Sequence, residues 1–255
     1  MSNDWGTSQN ELEAALVRAA TDAAARPAFY KALLEAQLLI VPAGQPPALE
    51  DGVLKEAATL QLAQIEIQGQ QCIPLFTSEA RLPQGTRYLG LASRDLFNIT
   101  KGAVFVLNPG AQYGKMLLPS EVTQLLDGSL FKPSETLTVQ KETKGLIGQP
   151  KDYPHEFVAA LKRYFAGEPS VEKAFLAQHF MPGVHTEPAL LVSIVAPERE
   201  FERIVGEVGI IARETKKPQN VVDITRYDQR NDSYFSNQEP IYVRAKRGFL
   251  GKLFG

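Results

Sequence analysis

The chain has 255 residues, 44% of them hydrophobic, and a formal net charge of −2 from 27 basic and 29 acidic side chains. That length supports one large or two small domains. The near balance of charge exerts no long-range pull on a phosphate backbone, which argues against nucleic acid as a partner.

A single cysteine, Cys72, excludes an intramolecular disulfide and fits a reducing compartment. The N-terminus lacks the basic and apolar regions of a signal peptide. No apolar run approaches the roughly 20 residues that cross a bilayer. A soluble, cytoplasmic protein with no integral membrane segment is therefore expected.

Along the chain, Leu12, Ala15, Leu16 and Ala19 recur at helical spacing, which predicts an amphipathic helix over 8–20 with Ser8 as its N-cap. A second helix should start at Pro27, a favoured first helical position, and Leu38–Pro42 reads as a short buried strand. Residues 43–54 are rich in proline and glycine and read as a loop. The alternating AQIEIQG, the turn Gln68-Gly69-Gln70 and the apolar CIPLF form a predicted β-hairpin. Then follow a strand in RYLGLAS, a short helix capped by Ser93, a strand in AVFVLNP closed by Asn108-Pro109-Gly110, and a short strand at GKMLL. A helix starts after Pro119, with Ser120 as cap and Gly128 as stop.

From Leu130 to Pro154 periodicity is lost among prolines, glycines and lysines, the signature of a linker with at most one short strand. Beyond it, HEFVAALKRYFAG is an amphipathic helix, and VEKAFLAQHF and PALLVSIVA are two strands joined by Met181-Pro182-Gly183. EREFERIVGEVGIIARE is a helix, and NVVDITRY and PIYVR are strands. The expected fold class is α+β: two small domains, 1–130 and 152–255, joined by a linker over 131–151. Each is a mainly antiparallel or mixed sheet with helices packed on one face.

RPAFYKALLEAQLLIVP, CIPLFTS, KGAVFVLNPG and GKMLLPSEV, in that order, resemble the N-terminal domain of the enhanced serine sensitivity (SseB) family. VEKAFLAQHF and the ending EPIYVRAKRGFLGKLF resemble its C-terminal domain. The family's name records a bacterial phenotype, serine sensitivity on overproduction, and supplies no catalytic residue set to carry over. Its CIPLFTS-like strand usually holds an aliphatic residue where this chain has Cys72, which argues against a family nucleophile there.

No phosphate loop, nucleophile elbow or HExxH occurs, and neither a metal nor another cofactor is expected. The chain has three histidines, His155, His179 and His185. The pattern HFMPGVH could bring two imidazoles and the Met181 sulfur together as a soft metal site, but without cysteines nearby the reading preferred is a plain hairpin. Cys72, in an apolar strand beside Pro74, reads as a small hydrophobe. Gly206 and Gly209 read as helix packing. Glu198, Glu200, Glu202 and Glu207 alternate with Arg199 and Arg203 and read as a salt-bridged, solvated face.

The C-terminus stands apart. Arg244, Lys246, Arg247 and Lys252 are its charges, and Phe249, Leu250, Leu253 and Phe254 fall on one side of a helix. Gly248 and Gly251 each weaken that helix by about 1 kcal/mol, so the tail needs a surface. The surfaces open to it are its own domain, a partner or a second copy of the chain, or, weakly, an anionic membrane. Tyr242 and the residues from Arg244 to Phe254 have the composition of an interface. The expected function is that of a non-enzymatic, cytosolic, bacterial protein-binding or adaptor protein engaging another protein through this segment. Two other readings stay open: an enzyme or small-ligand sensor of serine or sulfur amino-acid metabolism, and an accessory of a secretion or toxin system.

Overall fold

A computed structural model describes residues 8–44, 49–50, 53–54, 60–133, 145–215, 221–228, 232–235 and 238–245. The chain divides into two compact units, Met1–Leu130 and Phe131–Gly255. The α+β class expected from the sequence holds in both.

In the first unit, helices α1 (Glu11–Thr21), α2 (Arg26–Glu35), α3 (Ser93–Ile99) and α4 (Pro119–Leu126) accompany a mixed sheet. Its strands are β1 (Gln37–Ile40), β4 (Ile65–Ile67), β5 (Gln70–Phe76), β6 (Leu89–Ala92), β7 (Phe105–Leu107) and β8 (Lys115–Leu117). The two-residue strands β2 (Leu49–Glu50) and β3 (Val53–Leu54) pair separately, inside the stretch expected to be loop. The order is β6-β1-β5-β7-β8, with β4 also on β5 and only β5–β7 parallel.

The β4–β5 hairpin turns on Gln68 and Gly69, both at positive φ (53° and 79°), the backbone of a two-residue turn matched to strand twist. Pro74 sits where β5 passes from β4 to β1. Ile73 N–H reaches towards β7, so the missing proline N–H falls on the other edge, between two partners. Cys72 is buried and packs as a small hydrophobe. The core is built on Phe29, Leu33, Leu38, Leu75, Phe97 and Phe105, all fully buried.

Three helix starts differ from expectation. Asn10, not Ser8, caps α1, its Oδ1 accepting the Glu13 N–H at 2.9 Å. Ser93 does not cap α3; its N–H and hydroxyl both donate to the Ala36 carbonyl, at 2.9 Å, fixing the helix to the α2–β1 junction. Ser120 lies within the first turn of α4, which starts without a side-chain cap. A capping residue must be the last one outside the helix, and sequence boundaries place that residue only to within a turn.

Glu13 shows why the α1 start is where it is. The side chain is fully buried, and its carboxylate accepts from Ser78 Oγ (2.6 Å), Thr77 Oγ1 (2.7 Å), Arg81 (2.9 and 3.2 Å) and Gln9 N–H (3.1 Å). Asn10 donates to the Thr77 carbonyl, and Asn108, at φ 50°, receives the Thr77 N–H. One helix is thereby fastened to the ends of β5 and β7. Burial alone would raise the Glu13 carboxyl, but Arg81, Ser78, Gln9 and Thr77 reverse this and bring it from 4.5 to about 2.

The second unit holds helices α5 (His155–Gly167), α6 (Glu198–Thr215) and the short α7 (Asp232–Phe235), with strands β9 (Leu146–Gly148), β10 (Lys173–Phe180), β11 (Ala189–Val195), β12 (Val222–Arg226) and β13 (Tyr242–Val243). The order is β12-β11-β10-β13, with β9 also on β10. β11, α6 and β12 form a parallel crossover and the remaining pairs are antiparallel. Strand β9 lies in the stretch read as linker, and its pairing with β10 makes the end of that stretch part of this sheet.

Phe157, Leu161 and Phe165 of α5, and Ile204, Val208 and Ile211 of α6, are fully buried. Phe165 meets Tyr242 at 5.6 Å between ring centroids, and Tyr242 pairs with Ala174, so α5 covers the Ala174 face. Alternation along β10 sends Phe175 and Ala177 to the opposite face, where they pack with Phe235, Leu191 and Tyr227. The charges of α6 are only partly solvated. Arg203 bridges Glu168, Glu200 and Glu207, while Glu207 is buried and accepts the Tyr164 hydroxyl at 2.8 Å. Glu207 thus departs from the solvated face expected, because it sits on the side of α6 that meets α5. A Cβ on Gly206 would stand 1.8 Å from the Phe131 carbonyl oxygen, whereas at Gly209 it would meet nothing.

Two outcomes follow from these contacts. The folded Glu13 pKa lies below the unfolded one, so its contribution, about 3 kcal/mol, is present above about pH 4.5 and lost as pH falls towards 2. Urea unfolding of Glu13→Gln against wild type should show a gap that closes over that range. Gly206→Ala should destabilise by about 1–3 kcal/mol or more, while Gly209→Ala should gain about 0.5–1 kcal/mol; thermal melting reads both.

Candidate functional site

Strand alternation places His179 on the Phe175 and Ala177 face of β10. The partner of Ala177 across β11 is Leu191, and the partner of Leu191 in β12 is Asp223, so Asp223 shares that face. The turn after β10 is held by hydrogen bonds from Val184 N–H and His185 N–H to the Met181 carbonyl, and it folds His185 back over the same spot.

His179 Nε2 lies 2.6 Å, and His185 Nε2 2.9 Å, from the same Asp223 oxygen, Oδ2. The two rings stand edge to face at 4.7 Å. The side chains of His179, His185 and Asp223 are 10%, 5% and 25% exposed. His185 Nδ1 accepts the Met181 N–H at 3.1 Å. That acceptor role leaves the His185 proton on Nε2, where it donates to Asp223. Burial pushes the Asp223 carboxyl upward, and the hydrogen bonds and positive potential of His179 and His185 outweigh it, leaving the pKa below its ordinary value.

The two histidines of the HFMPGVH pattern are thus brought together as that pattern allows. Met181 contributes its backbone N–H, and the carboxylate comes from Asp223, which sequence reasoning missed. Asp223 lies 44 residues from His179, and a single aspartate in an alternating strand carries no signal of its own. His155 packs instead against Tyr153, with the two rings tilted to one another. Such a trio can hold a proton between bases, orient an imidazole or bind a cation.

The predicted C-terminal contact residues divide. Tyr242 pairs with Ala174 and packs on Phe165. Arg244 donates its N–H to the Glu172 carbonyl at 2.9 Å and its guanidinium to the carbonyls of Val171 (2.6 Å) and Pro169. Both are therefore engaged by their own unit. Lys246, Arg247, Phe249, Leu250, Lys252, Leu253 and Phe254 lie outside the described residues. Among the described residues no helix is long and apolar enough to cross a membrane.

Residues 12–124 match the SseB protein N-terminal domain and residues 139–244 the SseB protein C-terminal domain. The chain belongs to the SseB family. It is 29% identical to Protein SseB of Escherichia coli (strain K12) and to Protein SseB of Shigella flexneri, over 252 residues and 95% of each chain. No solved structure matches it. The SseB C-terminal match ends on Arg244, the residue whose guanidinium closes on the Pro169–Val171 carbonyls.

Removing the Asp223 carboxylate leaves two largely buried imidazole N–H groups without their acceptor. Asp223→Ala should therefore destabilise the second unit by about 1–3 kcal/mol, measured by urea unfolding at neutral pH.

Proposed function

We propose that this SseB-family chain is a non-enzymatic, cytosolic binding or adaptor protein that engages another protein through residues 246–255. The observation that carries the reading is the anchoring of the preceding residues. Strand β13 is paired to β10, and Arg244 is held by three backbone carbonyls, so the basic-aromatic segment starts from a fixed point at a sheet edge. Fixing one end of a binding segment lowers the ordering cost that opposes association. The segment itself offers Phe and Leu for burial with Arg and Lys around them, the residue mix of interface centres. Tyr242 and Arg244 serve as its anchor, and the partner contact falls on Lys246, Arg247, Phe249, Leu250, Lys252, Leu253 and Phe254.

The anchor also sets where a test must cut. Ending the chain after Glu239 would remove β13 and the Arg244 bonds and should lower the melting temperature. Ending it after Ala245 keeps both. The expected outcome is that the chain ending at Ala245 melts like the full length but loses a protein captured from bacterial lysate, and that a synthetic 246–255 peptide displaces the same protein from full-length bait. Capture that persists without the segment, or that the peptide fails to compete, would sink the reading.

A further inference from the structure

The His179–His185–Asp223 trio asks for an account beyond hairpin packing. A hydrogen-bonded pair would suffice to hold the turn, yet here two imidazoles converge on one carboxylate oxygen, with all three candidate ligand atoms within 4.8 Å of one another. Two of the three residues sit on β10 and β12, strands that both pair with β11 and whose registers fix their separation. Among the described residues, the charged groups within ion-pairing distance of Asp223 are these two histidines. Among the described residues, no lysine or arginine pairs with this carboxylate in competition with a cation.

We propose that His179, His185 and Asp223 form a binding site for one divalent transition-metal cation of the zinc class, held by the two Nε2 atoms and a carboxylate oxygen of Asp223. Imidazole with carboxylate is a ligand set suited to zinc, cobalt and nickel. Three protein ligands leave a tetrahedral ion one position for water or an incoming side chain. Around such an ion, with bonds of about 2.0–2.2 Å, ligand atoms stand roughly 3.3 Å apart. The carboxylate therefore draws back from its hydrogen-bonded distances of 2.6 and 2.9 Å, and the rings close on the cation. The largely buried imidazoles lie where coordination is not diluted by water, and the more exposed Asp223 marks the way in.

This assignment departs from the expectation of no metal, and the reason is Asp223: it supplies a carboxylate as third ligand where HFMPGVH alone offered a thioether. It also makes a demand that a passive cluster does not. In the metal-free form His185 Nδ1 accepts the Met181 N–H, so Nε2 carries the proton. Coordination needs the Nε2 lone pair and moves that proton to Nδ1, where it faces another donor. Cation binding must therefore open the Met181–His185 contact, and the turn 181–185 reports it.

The test uses the untagged full chain titrated with Zn2+ by calorimetry, with the imidazole nitrogens of 15N-labelled protein followed by NMR. We expect one equivalent to bind and His185 to change from the Nε2–H to the Nδ1–H form. Affinity should fall roughly 10- to 100-fold or more in His179→Ala, His185→Gln and Asp223→Asn, with His155→Ala unchanged. Co2+ should bind at the same site and show the visible absorption of a tetrahedral ion. Binding that survives all three substitutions overturns the proposal. So does wild-type protein that gives neither saturable heat nor a change in its imidazole resonances, and that result holds even if a variant fails to fold.

Discussion

The second unit depends on the two-residue period of one strand, β10. Ala174 and Leu176 turn to the face that α5 covers, while Phe175, Ala177 and His179 turn to the other. A slip of one residue would carry Phe175 under the helices and His179 away from Asp223, so the buried faces lock the register. That lock explains why a strand with three partners, β9, β11 and β13, stays in one arrangement. It also gives β10 two ends with different duties. Lys173 and Ala174 receive β13 and so hold the start of the C-terminal segment, while His179 closes the cluster near β9.

Both units bury a carboxylate between a helix and its neighbours, and in both the charge is kept by hydrogen bonds. Glu13 has five donors around it, and Glu207 has Tyr164 and Arg203. Desolvating a carboxylate costs several kcal/mol, and only charge-assisted bonds of this kind offset the loss. The gain lies in specificity: Glu13 accepts one rotation and one register of α1 against Thr77, Ser78 and Arg81. Tyr164 and Arg203 respond in kind, each held towards its protonated form. Burial and the Glu207 carboxylate raise the Tyr164 phenol, and the three carboxylates around Arg203, Glu168 first, raise its guanidinium.

Period and punctuation made most of the elements legible. Leu12, Leu16 and Ala19 announce α1, Gln68-Gly69 announces the hairpin, and the loss of periodicity after Leu130 announces the change of unit. What stayed hidden depends on distance along the chain. Glu13 looks like one more charge in an exposed turn until Arg81, 68 residues on, closes over it. Asp223 looks like the polar side of a half-wet strand until β12 is laid parallel to β11. The cap of α1 was misplaced for the same reason: Asn10 is chosen by its second bond, to the Thr77 carbonyl 67 residues away, as much as by its own helix. Local pattern fixes which residues form elements, while tertiary partners decide what each polar residue in them does.

The proposed cation site and the β13 anchor of the proposed contact segment lie at opposite ends of β10, five residues apart from Ala174 to His179, a rise of about 17 Å. Coupling between them would need the strand to take up two discrete positions, and a shift of β10 would break seven pairs with β11 at once. A rigid, fully paired strand therefore insulates more than it transmits. An ion seated between His179, His185 and Asp223 would act on the turn at 181–185, which lies beyond the end of β10. The Arg244 clamp on Pro169 and Val171 lies before the strand's other end. The proposed cation site and the proposed C-terminal contact are therefore expected to act independently, since the strand between them is locked in one register.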